Sequence, residues 1–148
     1  MLKNKKKILF LTSTRAEYGK IKTLIEILKK SKKFTPYIFI TGLHMLEKFG
    51  STYTEVTSQN NNNFKKFYNK YTDQKILSGD LIISEAIIGL RKYVMKIKPD
   101  LIIIHGDKQE ALAGAIVGCM NNIMTGHIEG GEISGNIDEI IRHSISKL

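Results

Sequence analysis

The run L-I-I-I at residues 101–104, inside D-L-I-I-I-H-G-D, is apolar at every position. A strand with one wet face alternates apolar and polar residues. An unbroken apolar run therefore predicts a strand covered on both faces, the usual state of a central strand in a parallel sheet. Parallel neighbours need long crossovers, and the flanking sequence supplies them. K-I-L-F-L-T reads as a first buried strand, and R-A-E-Y-G-K-I-K-T-L-I-E-I-L-K-K-S-K-K as a helix with Ile21, Leu24, Ile25 and Leu28 at helical spacing. F-T-P-Y-I-F-I-T-G is a second strand with Pro36 near its start, and L-H-M-L-E-K-F-G a short helix ended by Gly50.

Residues 51–73 are polar and weakly periodic, and read as loop with a short strand or helix. Ile82, Ile83, Ala86, Ile87, Leu90, Val94 and Ile97 mark one face of the next helix, which Pro99 stops. K-Q-E-A-L-A-G-A-I-V-G-C-M-N-N is a small-residue helix, with Cys119 expected as core filler. I-M-T-G-H-I-E-G-G is a further strand, and N-I-D-E-I-I-R-H-S-I-S-K-L a last helix. The alternation predicts an α/β fold: one domain over residues 1–148, a doubly wound parallel sheet with right-handed crossovers.

Composition narrows the class. No apolar run approaches the roughly 18–20 residues of a membrane span, so no membrane partner is expected. The basic start M-L-K-N-K-K-K has too short an apolar stretch and no cleavage pattern for a signal peptide. A lone cysteine suits a reducing cytoplasm. The formal net charge of +9 raises a nucleic-acid partner, but only Arg15, Arg91 and Arg142 are arginines and the lysines are scattered. Solvated surface is the better reading, and the positive field would attract a small anion.

In open parallel sheets ligands sit beyond the carboxyl ends of the strands. That rule selects T-S-T-R-A-E-Y-G-K, T-G-L-H, H-G-D-K-Q-E and E-G-G-E-I-S-G-N-I-D, where the polar and glycine residues collect. Arg15 and Lys20, at the start of the first helix, are either an anion clamp or two solvated cations. Asp107 either caps the helix after it or serves as an acid–base carboxyl group; His105 either binds a ligand or closes the sheet.

Glu129 is loop surface or the second half of a carboxylate pair with Asp107, and Gly130 and Gly131 after it allow backbone to pass close to a ligand. Asn136 and Glu139 have capping-box spacing. Asp138 and Arg142, four apart, form either a surface ion pair or a ligand-facing one. His127 and Glu129 match the H-x-E of zinc deaminases, but no P-C-x-x-C follows, so no metal is expected.

The stretches T-S-T-R-A-E-Y-G-K-I-K, I-T-G-L-H-M, I-I-I-H-G-D-K-Q-E-A-L-A-G-A-I and H-I-E-G-G-E-I-S-G-N-I-D-E-I-I-R-H-S-I-S-K-L together resemble the N-terminal half of UDP-N-acetylglucosamine 2-epimerases. Their form is similar to the hydrolysing branch used in sialic and legionaminic acid synthesis. The resemblance implies a Rossmann-like first domain of a GT-B type two-domain fold, a UDP-sugar substrate, and no cofactor. It implies catalytic roles for Asp107, Glu129 and Asp138. Substrate contacts would come from Arg15, Lys20, His105, Gly130, Gly131, Arg142 and His143. Lys108 departs from the arginine the family often has there. A homo-oligomer or a separately encoded C-terminal half is the expected protein partner, and 148 residues alone are expected to have little or no activity.

Overall fold

The computed structural model describes residues 5–60, 62–73 and 78–148. Five strands form one parallel sheet: β1 (Lys6–Thr12), β2 (Phe34–Ile40), β3 (Phe64–Lys66), β4 (Leu101–His105) and β5 (Met124–Ile128), in the order β3-β2-β1-β4-β5. The helices are α1 (Arg15–Lys30), α2 (Tyr53–Ser58), α3 (Gly79–Ile97), α4 (Gln109–Met120) and α5 (Ile137–Lys147).

β1 shows how the sheet is wound on both sides. Successive side chains of a strand point to opposite faces. Leu9 and Leu11 join a core with Leu90, Val94 and Ile97 of α3, Ala111 and Ala115 of α4 and Ile145 of α5. Ile8 and Phe10 join the other core, with Tyr18, Ile21 and Ile25 of α1 and Val56 of α2. All four β1 residues are 6% exposed or less, so each stabilises the sheet by about 1.5–3 kcal/mol.

The small residues of α4 have a direct use. A Cβ on Gly114 would lie 2.8 Å from Ile104 Cγ2, and one on Gly118 2.2 Å from Thr125 Oγ1. The helix axis can therefore lie close over β4 and β5. Cys119 on its outer side is only half-buried, so the core role expected for it is not what the fold gives.

Pro36 sits where the sheet does not need its N–H. Ile38 donates to Asn63 O on the β3 side, and two residues earlier Pro36 would aim the same way, whereas β3 pairs only with Ile38, Phe39 and Ile40.

One expectation needs correction. The short helix after β2 is a pair of 3-10 turns, Gly42–Met45 and Glu47–Phe49, with Gly50 at φ +81° ending the second. The polar stretch after it contains α2 and β3, whose three residues complete the free edge of β2. Among the described residues no helix is long and apolar enough to cross a membrane.

Candidate active site at the strand-order switch

The chain leaves β1 toward β2 on one side and returns to β4 on the other, so the strand order reverses between β1 and β4. Connections diverge at such a point and leave a crevice at the carboxyl ends. Here it is an open cleft of about 160 Å³ lined by Thr14, Glu17, Lys20, His105, Asp107 and Glu129, among others.

Its β1 side is fixed by hydrogen bonds. Thr14 caps α1 by accepting from Glu17 N at 3.2 Å. The Glu17 carboxylate turns back to accept from Ser13 N at 2.6 Å, from Thr14 N at 3.1 Å and from the Ser13 hydroxyl. This reciprocal cap satisfies donors that a helix start leaves free. Glu17 is 7% exposed, and burial pushes its carboxyl up against the opposing effect of the Ser13 and Thr14 bonds. The T-x-x-E spacing at residues 14–17 is itself a capping signature, which a reading centred on Arg15 and Lys20 passes over.

On the other side Glu129, at φ +60°, ends the β5 segment and forms an ion pair with Lys20. Its second oxygen lies 3.3 Å from His105 Nε2, an approach out of line for a hydrogen bond. The Lys20 hydrogen bond, and then the nearby His105 and Lys20 charges, hold the Glu129 carboxyl below its ordinary range despite some desolvation. The histidine is 6% exposed, and neither ring nitrogen has a hydrogen-bond partner among the described residues. It is thus a buried polar ring aimed at the cleft.

Asp107 does not cap α4: the cap position is Lys108, without a side-chain cap bond. Its carboxylate is paired with the Arg142 guanidinium, which also donates to Glu132 O at 2.9 Å. Arg142 therefore reaches across to Asp107 instead of pairing with Asp138 one turn earlier. His127, a residue the sequence offered only as a doubtful metal ligand, is a strut. Its Nε2 lies 2.7 Å from Gly106 O and its Nδ1 3.1 Å from Ser146 Oγ, tying the β4 end to α5.

The cleft thus brings together Lys20, His105, Asp107 and Glu129. Arg15 is not with them: it is exposed and leans on Glu55 at 3.4 Å, so the expected clamp with Lys20 does not form. Gly130 and Gly131 are exposed beside Glu129, Gly131 at φ +77°. Asp138 is half-buried in the first turn of α5, where Asn136 Oδ1 accepts from its N–H at 3.0 Å; it does not line the cleft. Glu139 reaches past Asn136 and accepts from Ser134 N at 2.9 Å and Gly135 N at 2.6 Å, so the expected reciprocal box is displaced outward. The His143 side chain is exposed and makes no hydrogen bond among the described residues.

Sheet order and crevice define the class: a Rossmann-like domain, the N-terminal one of a GT-B type fold. A family model described as UDP-N-acetylglucosamine 2-epimerase matches residues 26–148, and the chain belongs to that family. The UDP-N-acetylglucosamine 2-epimerase of Neisseria meningitidis serogroup B is 40% identical over 143 residues, covering 97% of this chain and 37% of its own length. The UDP-N,N'-diacetylbacillosamine 2-epimerase (hydrolyzing) of Legionella pneumophila is 32% identical, with 97% and 38% covered. A UDP-N-acetylglucosamine 2-epimerase crystal structure superposes with TM-score 0.81 at 25% identity, over 97% of this chain and 40% of that one. The chain thus spans little more than a third of the length of the curated relatives it matches.

Proposed function

We propose that this chain is the N-terminal half of a hydrolysing UDP-sugar 2-epimerase. The observation that carries the reading is the convergence of Glu129, Asp107, Lys20 and His105 in one crevice at the switch point. Two carboxylates with unlike partners, one on a lysine and one on an arginine, are suited to different proton-transfer roles.

In the proposed reaction a carboxylate removes the proton at C2 of the sugar while the C1–O bond to UDP breaks. The products of that step are an unsaturated 2-acetamido sugar and UDP. Water then adds across the double bond from the face that returns the opposite configuration at C2, giving a free 2-epimerised sugar. Glu129, held ionised, is poised as a base. Lys20 exchanges it for the diphosphate as substrate binds, which frees the carboxylate when it is needed. Asp107, oriented by Arg142, assists the leaving or adding oxygen, and Asp138 completes the acidic set from the start of α5. Arg15, Gly130, Gly131 and His143 would contact substrate only with the cleft closed.

Closure needs a second domain, because half a cleft admits water and lacks half of its preorganised donors. The 148 residues alone are therefore expected to turn over poorly. The test uses a form that carries the second domain, incubated with UDP-N-acetylglucosamine or UDP-N,N'-diacetylbacillosamine in deuterated water. UDP release with deuterium at C2 of the free sugar is the expected result. If neither substrate releases UDP, the catalytic reading is wrong.

A further inference from the structure

The outer edge of the sheet carries a cavity of about 440 Å³ between β3 and the second half of α3. It shares no lining residue with the crevice, and β2 and β1 stand between the two. A void of this size is in the range that holds a small organic ligand.

Three lysines line it: Lys65 from β3, and Lys92 and Lys96 from α3. All three are exposed, and none makes an ion pair or a side-chain hydrogen bond among the described residues. Lys6, Lys20 and Lys48, by contrast, each pair with a carboxylate. Lys92 and Lys96 stand one helical turn apart, and neither has an acidic residue three or four places away within α3. Like charges at that spacing destabilise a helix. No carboxylate lines the cavity, so nothing in its wall balances them.

The rest of the wall is largely aromatic. Phe64, Phe67 and Tyr93 line it, and Phe67 stacks on Phe39 with ring centroids 5.6 Å apart. Gly89 makes this arrangement possible: a Cβ there would stand 2.4 Å from the Phe67 ring. The bare helix backbone at that position lets the ring lie against α3. Lysine on an edge strand guards it against pairing with another chain, which would account for Lys65 alone. It does not account for Lys92 and Lys96, which bring two more charges to the same cavity from a helix.

We propose that this cavity binds a small aromatic anion of the nucleoside polyphosphate kind, its ring against Phe64 and Phe67 and its phosphates among Lys65, Lys92 and Lys96. Flat bases are held by stacking on aromatic side chains, and phosphates by lysine charges. The site is separate from the crevice, so it stands or falls independently of the epimerase reading.

The test is a chemical-shift titration of the isotope-labelled chain with magnesium-free ATP, with tripolyphosphate and with adenosine. ATP is expected to shift the amides of Lys65, Phe67, Gly89, Lys92 and Lys96. Tripolyphosphate, which lacks the ring, should bind about tenfold more weakly, and adenosine, which lacks the charge, should lose at least as much. Neutralising the two helix lysines together, Lys92→Gln with Lys96→Gln, should weaken ATP binding about tenfold.

Both side chains are exposed, so the double variant is expected to fold, and the comparison of ligands on the unaltered chain stands without it. ATP leaving those amides unshifted would overturn the site. Equal affinities for ATP and tripolyphosphate, or undiminished ATP affinity in the double variant, would overturn it as well.

Discussion

Two loops border the same crevice and are held in opposite ways. The one leaving β1 is short and dry: Ser13 is 1% exposed, and its donors end on the buried Glu17 carboxylate. The one leaving β5 runs over exposed residues from Gly130 to Ile137, and Glu139 gathers its two backbone donors at the surface. The first is a jaw fixed by buried bonds, and the second is held by bonds at the surface that solvent can reach.

The sharpest way to break the comparison is Glu17→Ala. It orphans the Ser13 and Thr14 N–H groups and removes half of the cap, for an expected loss of about 4 kcal/mol in urea-melt stability. If that variant loses less than about 1 kcal/mol, the β1 loop is not fixed as described.

A pH series probes the same dry side. Glu110 is raised to about 7, so its contribution is full below about pH 4.5, its unfolded range, and is lost as pH rises through 7. The fall is about 3 kcal/mol, and Glu110→Gln should flatten it. His44, buried and bonded to Thr12 at 3.0 Å and Thr52 at 2.7 Å, is lowered to about 4 by burial. Its contribution is full above about 6.5 and lost as pH falls through 4, also by about 3 kcal/mol. Stability measured by denaturant should therefore peak between pH 5 and 6 on the common scale of these shifts.

Gly42→Ala and Gly131→Ala sharpen the contrast between the two sides. Both residues have positive φ, but a Cβ at Gly42 meets Ser13 and Glu110 whereas one at Gly131 meets nothing within 4 Å. The expected losses are about 2 and about 1 kcal/mol in thermal or urea melts. Smallest of all, Glu139→Ala should leave the urea midpoint nearly unchanged, since solvent can replace the carboxylate at Ser134 and Gly135.

The same division explains what could be read from the sequence. Long apolar runs and helical periodicity placed four of the strands and the four longer helices, and the strand-end rule led directly to His105, Asp107 and Glu129. β3 was illegible because its strand character comes from the free edge of β2; Phe64, Lys65 and Lys66 have no alternation of their own. Glu110 looks like an ordinary acid in the first turn of a helix, and nothing near it in sequence announces that Gly42, just past β2, closes over its carboxyl group. Arg142 misled for a like reason. Its helical neighbour Asp138 is close in sequence, whereas its actual partner Asp107 lies 35 residues away.

The central place of β1 also sets the order of events during folding. Lys6 to Thr12 pair with β2, but Ile8, Leu9 and Phe10 find their other neighbour only in Leu101, Ile102 and Ile103. An apolar strand made early must wait for nearly a hundred residues of synthesis before both its edges are covered. Such non-local parallel pairing is slow, and one edge of K-I-L-F-L stays uncovered on the nascent chain until Leu101 to Ile103 are made.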